Sequence, residues 1–152
     1  MGVSYIGVIE GSDKNVATHE ISEGGVTKHI GRDAPAAGVL TLPDTPQISE
    51  ATAAGTKSGD VDVQGKGRIV CKISYSADNV EATWRVYFKD SAGTLILATE
   101  EISVANLGIA DGSRYLGQGI VLANEVGAAS VELELVTAPT NSGNASAWVV
   151  GV

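Results

Sequence analysis

This chain is poor in the residues that usually carry chemistry. It has one cysteine, two histidines and seven aromatic side chains in 152 residues. A single cysteine, Cys71, excludes an internal disulfide. Cys71 falls on the apolar phase of an alternating segment, and a nucleophilic thiol would want a histidine partner near it. Both histidines lie far upstream, so Cys71 reads as a small buried hydrophobe. His19 and His29 are ten residues apart, which fits no common metal-ligand spacing, and they read as surface or interface residues. The low aromatic content means that the core must rest on Val, Ile, Leu and Ala, with Trp84 and Trp148 as the large exceptions. It also leaves too few rings for a wide sugar-stacking platform.

Positive charge is scarce as well. The net charge is −8, and residues 1–60 and 61–152 each contribute −4. No Arg/Lys cluster interleaved with aromatics occurs, so a phosphate backbone would be repelled and no nucleic-acid partner is expected. There is no apolar run near 18 residues, so no membrane partner is expected. No basic segment precedes an apolar one at the start, so no signal peptide is read. Cofactor motifs are missing too. The serines offer no Gly-x-Ser-x-Gly elbow. Gly117-Gln-Gly119 runs into Ile-Val-Leu, a strand rather than the helix that a phosphate cradle needs. Those glycines instead predict a close approach of a second sheet or subunit.

What the sequence does have is alternation. Ile69, Cys71, Ile73 and Tyr75 share one phase; Val80, Ala82, Trp84, Val86 and Phe88 share another; Val131, Leu133 and Leu135 repeat the pattern. A period of two predicts strands with one face buried. Strands are expected near 68–75, 80–89, 94–102, 114–123, 130–137 and 145–151, with two short ones at Ile48–Thr52 and Gly59–Val63. Lys89-Asp-Ser-Ala-Gly93 reads as a hairpin loop with glycine at a positive-φ position. Asn141-Ser-Gly143 marks a second turn, and Ala105–Asp111 is expected to be a longer connection with one helical turn. Nineteen glycines and four prolines argue against long helices. An all-β antiparallel sandwich or jelly roll follows, and a chain of this size can bury about 68–70% of its unfolded surface.

Residues 1–46 read differently. Val3–Ile9 and Val16–Ile21 are plausible strands, but Gly24-Gly25, Gly31, Pro35, Gly38, Pro43 and Pro46 punctuate the rest. Such a segment cannot build much core alone, which predicts cover from the sandwich or, preferentially, from neighbouring subunits. The expected organisation is therefore an extended arm over 1–46 and a sandwich over 47–152.

Residues 59–152 resemble the jelly rolls of carbohydrate-binding modules and galactose-binding-like domains. The likeness is carried by the Gly-rich turn Val63-Gln-Gly-Lys-Gly67 before a strand and the Lys-Asp-x-x-Gly hairpin at 89–93. The Gly127–Leu135 strand and the Trp-containing last strand after Asn141 complete it. Many such modules carry a calcium-binding Asp on the last strand; Ala147-Trp-Val-Val-Gly151 has none, so calcium is not carried over. Similar jelly rolls occur in bacteriophage virion proteins. An acidic chain with a Gly/Pro-rich arm resembles that group most.

Weighed together, these features predict a non-enzymatic structural protein located in a virion. The specific expectation is a bacteriophage capsid decoration protein, made in the host cytoplasm, trimeric, with the major capsid protein as partner. No cofactor or metal is expected. Trp148, Tyr115, Tyr5, His19 and His29 are the candidate interface or ligand-facing residues. Trp148 shares a strand face with Ser146, Val150 and Val152, and could be core, an interface anchor or a sugar platform. The alternative function is a glycan-binding module, for which Trp148 or Tyr115 would stand in a groove beside Asn, Asp and Gln. Asp60 and Asp62, on one strand face, could join Asp44 or Asp78 around Ca²⁺, or simply be solvated carboxylates at a sheet edge. Glu132 and Glu134 read as the outer face of a half-buried strand, since a glycosidase pair would need one carboxyl in an apolar pocket.

Overall fold

The computed structural model describes residues 19–23, 26–30 and 39–152, and the chain divides into two units, Met1–Gly38 and Val39–Val152. In the first unit β1 (His19–Glu23) and β2 (Val26–Ile30) pair antiparallel, with His19 opposite Ile30 and Glu20 opposite His29. The expected strand at Val3–Ile9 lies outside the described residues. The one at Val16–Ile21 is described only from His19, and there it runs on to Glu23.

The second unit is two antiparallel sheets. One is centred on β6 (Arg68–Tyr75), flanked by β14 (Ala145–Gly151) and then β3 (Ile48–Ala51). On the other side of β6 lie β11 (Arg114–Gly117) and β12 (Ile120–Ala123) in succession, with β10 (Asn106–Asp111) outside β11. The second sheet centres on β7 (Ala82–Lys89) and β13 (Ser130–Leu135). β4 (Thr56–Lys57) and β5 (Val61–Asp62) share the free side of β13. β8 (Leu95–Ala98) and β9 (Ile102–Val104) share the free side of β7. Count each of these broken pairs as one strand and set β10 aside, and eight strands remain. The β6 sheet then holds the first, eighth, third and sixth, and the β7 sheet the second, seventh, fourth and fifth. That order is the double Greek key of a jelly roll.

The alternation places the core. Ile69, Cys71, Ile73 and Tyr75 of β6 and Ala145, Ala147 and Val149 of β14 are buried. They share one cluster with Ala82, Trp84, Val86 and Phe88 of β7 and Val131, Leu133 and Leu135 of β13. Trp84 and Tyr75 are wholly buried, and their polar ends satisfy each other: the Trp84 indole N–H donates to the Tyr75 hydroxyl at 3.4 Å. That hydroxyl donates to the Val104 carbonyl at 2.9 Å. A Cβ on Gly117 would stand 2.9 Å from Tyr75 Cε2 and 3.1 Å from Val104 Cγ1, so here glycine lets the two sheets close on the tyrosine. Burial also pushes the Cys71 thiol up to about 12, which keeps it neutral and inert.

The turns follow their residues. Gly93 closes the 89–93 hairpin at φ +83°, while Asp90 Oδ1 accepts the amides of Ala92 and Thr94 at 2.9 and 2.8 Å. Asn141 and Ser142 take left-handed φ values of 54° and 57°. Two local readings change. The segment 105–111, expected to be a connection with a helical turn, is instead the edge strand β10, kinked at Gly108 (φ +68°) where its register shifts. The Asn106 side chain pins it by donating to the carbonyls of Ala77 and Val80 at 2.7 and 3.0 Å, a tertiary anchor with no local signature. β4, absent from the expected strands, is two residues long. Next to it, the Ser58 hydroxyl oxygen accepts the Leu133 amide at 2.9 Å and its own amide donates to the Leu133 carbonyl at 2.9 Å.

Candidate functional site

The sandwich presents two outer faces of opposite character. On the β7 sheet, Thr83, Arg85, Tyr87 and Lys89 alternate with the core residues, and Glu132 and Glu134 do so on β13. Register places Glu132 opposite Tyr87 and Glu134 opposite Arg85. Lys89 Nζ reaches Asp60 at 2.6 Å and Glu132 at 2.9 Å, and these hydrogen bonds raise its pKa, Asp60 contributing most. Lys57 Nζ lies 3.8 Å from Glu132 and 4.9 Å from the Tyr87 ring centroid. Tyr87 donates its hydroxyl to Glu134, and Arg85 pairs with Glu101 at 3.3 Å. Every acid on the two central strands of this face has a partner on its own face. Glu132 and Glu134 therefore act in a charged lattice on an open sheet, not in an apolar cleft.

The outer face of the β6 sheet is plated with aliphatic side chains. Val121, Val70 and Val150 stand in one row across β12, β6 and β14. Ile109 and Leu116 stand in a second row that ends on the buried Ser74. Between them Trp148 faces Lys72, whose ammonium lies 4.9 Å from the indole centroid and 2.7 Å from Asp111. Val121 is 60% exposed and Ile109 53%. The charges here are Arg68, Lys72 and Arg114 with the acid Asp111. Arg114 is half-buried: its Nε donates to Ser74 Oγ at 2.8 Å and its Nη2 to the Ser74 carbonyl at 3.1 Å. Burial pulls its pKa down and the charge of Glu50 opposes that. Contiguous exposed apolar surface of this kind marks interaction sites.

A third feature is the edge strand β8. Leu95, Ile96 and Leu97 are 54%, 44% and 39% exposed, and residues 91–99 carry no charge. Leu97 faces Phe88 and Leu95 faces Lys89, with Ile96 the extra residue of a bulge, so apolar side chains reach both sides of this edge.

The candidate residues separate. Trp148 is half-buried on the outer face of the β6 sheet. Tyr115 sits opposite Tyr75 on the core-facing phase of β11, so the two aromatics do not share a groove. Tyr5 lies outside the described residues; His19 and His29 are placed only by the register of β1 and β2. Asp60, Asp62 and Asp90 line a shallow hollow of about 280 Å³, without Asp44 or Asp78. Their oxygens are already engaged: Asp60 by Lys89, Asp62 by the Gln64 amide at 3.0 Å, Asp90 by two turn amides. Among the described residues no group of three or more His, Cys, Asp or Glu could hold a metal ion. The valine row and β8 escaped the sequence-based choice of site residues. Their signal was present in Ile120-Val-Leu122, Val149-Val150 and Leu95-Ile-Leu97, where apolar residues occupy both phases of a strand.

No protein-family model matches the chain, and no curated protein matches it. Among solved structures it is similar to a chain of the IBDV viral particle, with a TM-score of 0.44 and 13% identity, covering 82% of this chain and 36% of that one. It is similar also to a chain of infectious bursal disease virus Gx strain, with a TM-score of 0.42 and 14% identity, over 87% and 40% of the two chains. The infectious bursal disease virus VP2 subviral particle gives a TM-score of 0.40 and 15% identity, over 79% and 35%. The chain thus spans a little over a third of the length of these structures.

Proposed function

We propose that this chain is a non-enzymatic structural protein of a virion, a decoration protein that oligomerises and binds neighbouring shell subunits, such as a major capsid protein, on a bacteriophage capsid. The observation that carries it is the apolar outer face of the β6 sheet, where, among the described residues, Val121 and Ile109 are exposed and Val70, Val150 and Leu116 beside them are half-buried. A monomer gains nothing from keeping such a face wet, whereas burying it against neighbours contributes about 25 cal/mol per Å² before the costs of association. The virion location and the bacteriophage host follow the resemblance of a jelly roll with a Gly/Pro-rich arm to such proteins. The arm, residues 1–46, is the second proposed contact with neighbours.

The glycan-binding alternative needs an open aromatic platform. The Lys72 ammonium already lies over the Trp148 ring, and Tyr115 faces the other side of its sheet. Two measurements test the assignment. Light scattering at micromolar concentration should show a trimer, and particles purified from the host carrying the gene should contain the chain at a fixed ratio to the shell protein. A monomer missing from particles but retained on a glycan array would replace this function with the alternative.

A further inference from the structure

The outer face of the β6 sheet and the β8 edge are both apolar, yet they lie on different sheets and differ in charge. Lys72 is paired with Asp111 and the charge of Glu50 acts on Arg114, so three cations, Arg68, Lys72 and Arg114, outnumber two acids here, and neither arginine makes a carboxylate contact among the described residues. Flanking β8, Glu101 is paired with Arg85, which leaves Asp90 and Glu100 exposed. One surface is therefore apolar with a basic rim and the other apolar with an acidic rim.

The remaining sheet edges are blunted. β10 kinks at Gly108; β3 carries Glu50 at φ 45° and is capped by Gln47, whose side chain trades hydrogen bonds with Val149 at 2.9 and 3.0 Å; β4 and β5 are two residues each. β10 also displays large apolar side chains, Leu107 and Ile109, in an uncharged run, but among these edges β8 alone presents three in succession.

We propose that the β8 ridge of one copy, Leu95-Ile96-Leu97, packs on the valine row of the β6 sheet of a second copy, so that subunits join head to tail. Charge selects this over like-with-like contact. Pairing two β6 faces would set Arg68 and Arg114 against their own counterparts, and pairing two β8 edges would do the same for Asp90 and Glu100; ridge on face brings opposite signs together. A head-to-tail contact closes into a ring when its rotation permits. This inference rests on the proposed assembly role and names the partner of its principal surface as another copy of the same chain.

The test uses two full-length variants at exposed positions, Ile96→Asp to spoil the ridge and Val121→Asp to spoil the face, each checked for an unchanged circular dichroism spectrum. Each alone should be monomeric by light scattering where the unmodified chain is a ring. Mixed in equal amounts they should form a one-to-one dimer that grows no further, because one intact ridge meets one intact face. Full assembly by Ile96→Asp alone would show face-to-face contact, and full assembly by Val121→Asp alone would show edge-to-edge contact; either overturns the head-to-tail arrangement while leaving the virion role standing. Two monomers whose mixture stays monomeric would overturn it too. A monomeric unmodified chain, as when residues 1–38 of the same molecule cover these surfaces, overturns it at the start, and the content of purified particles still decides the role separately.

Discussion

The two outer faces of this sandwich lie over one core and were built by the same alternation, but they solve the exposed phase in opposite ways. The β7 sheet fills it with charged and polar groups that answer each other: Lys89 with Asp60 and Glu132, Tyr87 with Glu134, Arg85 with Glu101. The β6 sheet fills it with Val70, Val121 and Val150 around one Lys–Trp contact. A face whose charges are mutually satisfied is complete in water and has little to gain from a partner. A face of valines is complete only when covered. The contrast locates the proposed assembly surface more sharply than any single residue does.

The largest effect should come from the core that both faces share. Trp84→Ala removes a wholly buried indole and deprives the Tyr75 hydroxyl of a donor, so it should cost about 3–5 kcal/mol in a thermal or denaturant melt. Both faces would be weakened together. A melt left unchanged would mean that the faces do not depend on this core, and the comparison would collapse.

Deleting residues 1–46 bears on whether the valine face suffices alone. The truncated chain should keep β-type circular dichroism and lose its oligomer if the arm makes its proposed contacts with neighbours. Normal assembly without the arm would assign the whole association to the sandwich surfaces. Failure to fold would make the arm part of the domain.

High pH loosens the sandwich from inside, independently of either face. The Cys71 thiol is held near 12 when folded, against about 8.5–9 when exposed. Its contribution is fully present below the unfolded value and is lost as pH rises toward the folded one. Between pH 8 and 10.5 unfolded chains give up this proton while folded ones keep it, so the unmodified chain should lose about 2 kcal/mol more stability than Cys71→Val. Equal pH slopes for the two chains would show that Cys71 is not sequestered. The same burial predicts that a thiol reagent labels Cys71 only after unfolding.

The smallest effects, set side by side, sharpen the contrast most. Lys89→Met on the charged face should cost about 0.2–1 kcal/mol, more at low salt, and leave the mass of the assembly unchanged. Val121→Asp on the aliphatic face should change monomer stability by about 0.5 kcal/mol or less and abolish association. If Lys89→Met dissociated the oligomer and Val121→Asp did not, the roles of the two faces would be reversed.

Much of this was readable in the chain. The period of two over 68–75, 80–89 and 130–137 fixes which side chains are inside, because a strand turns alternate residues to opposite faces whatever its neighbours. Trp84, Cys71 and the outward placement of Glu132 and Glu134 followed from that rule, and the hairpin at Gly93 followed from its turn residues. β10 did not follow, because its pairing with β11 is held by Asn106 reaching the carbonyls of Ala77 and Val80 from a distant point of the chain. Trp148 could not be assigned either. Its phase is shared with Val150, but only the pairing of β14 with β6 sets it against Lys72 and puts Val150 in line with Val70 and Val121.

The sequence by itself therefore determined that this is an antiparallel β protein, which residues fill its core and where its tight turns fall. All three depend on local backbone geometry and on alternation within a strand. Tertiary structure alone decided which strands are neighbours, and hence that three separate valines form one row, that Tyr115 and Trp148 part company and that Leu95-Ile96-Leu97 lies at an open edge. Those are properties of register and strand order, which arise from pairings between residues far apart in the chain and leave no trace in any one segment.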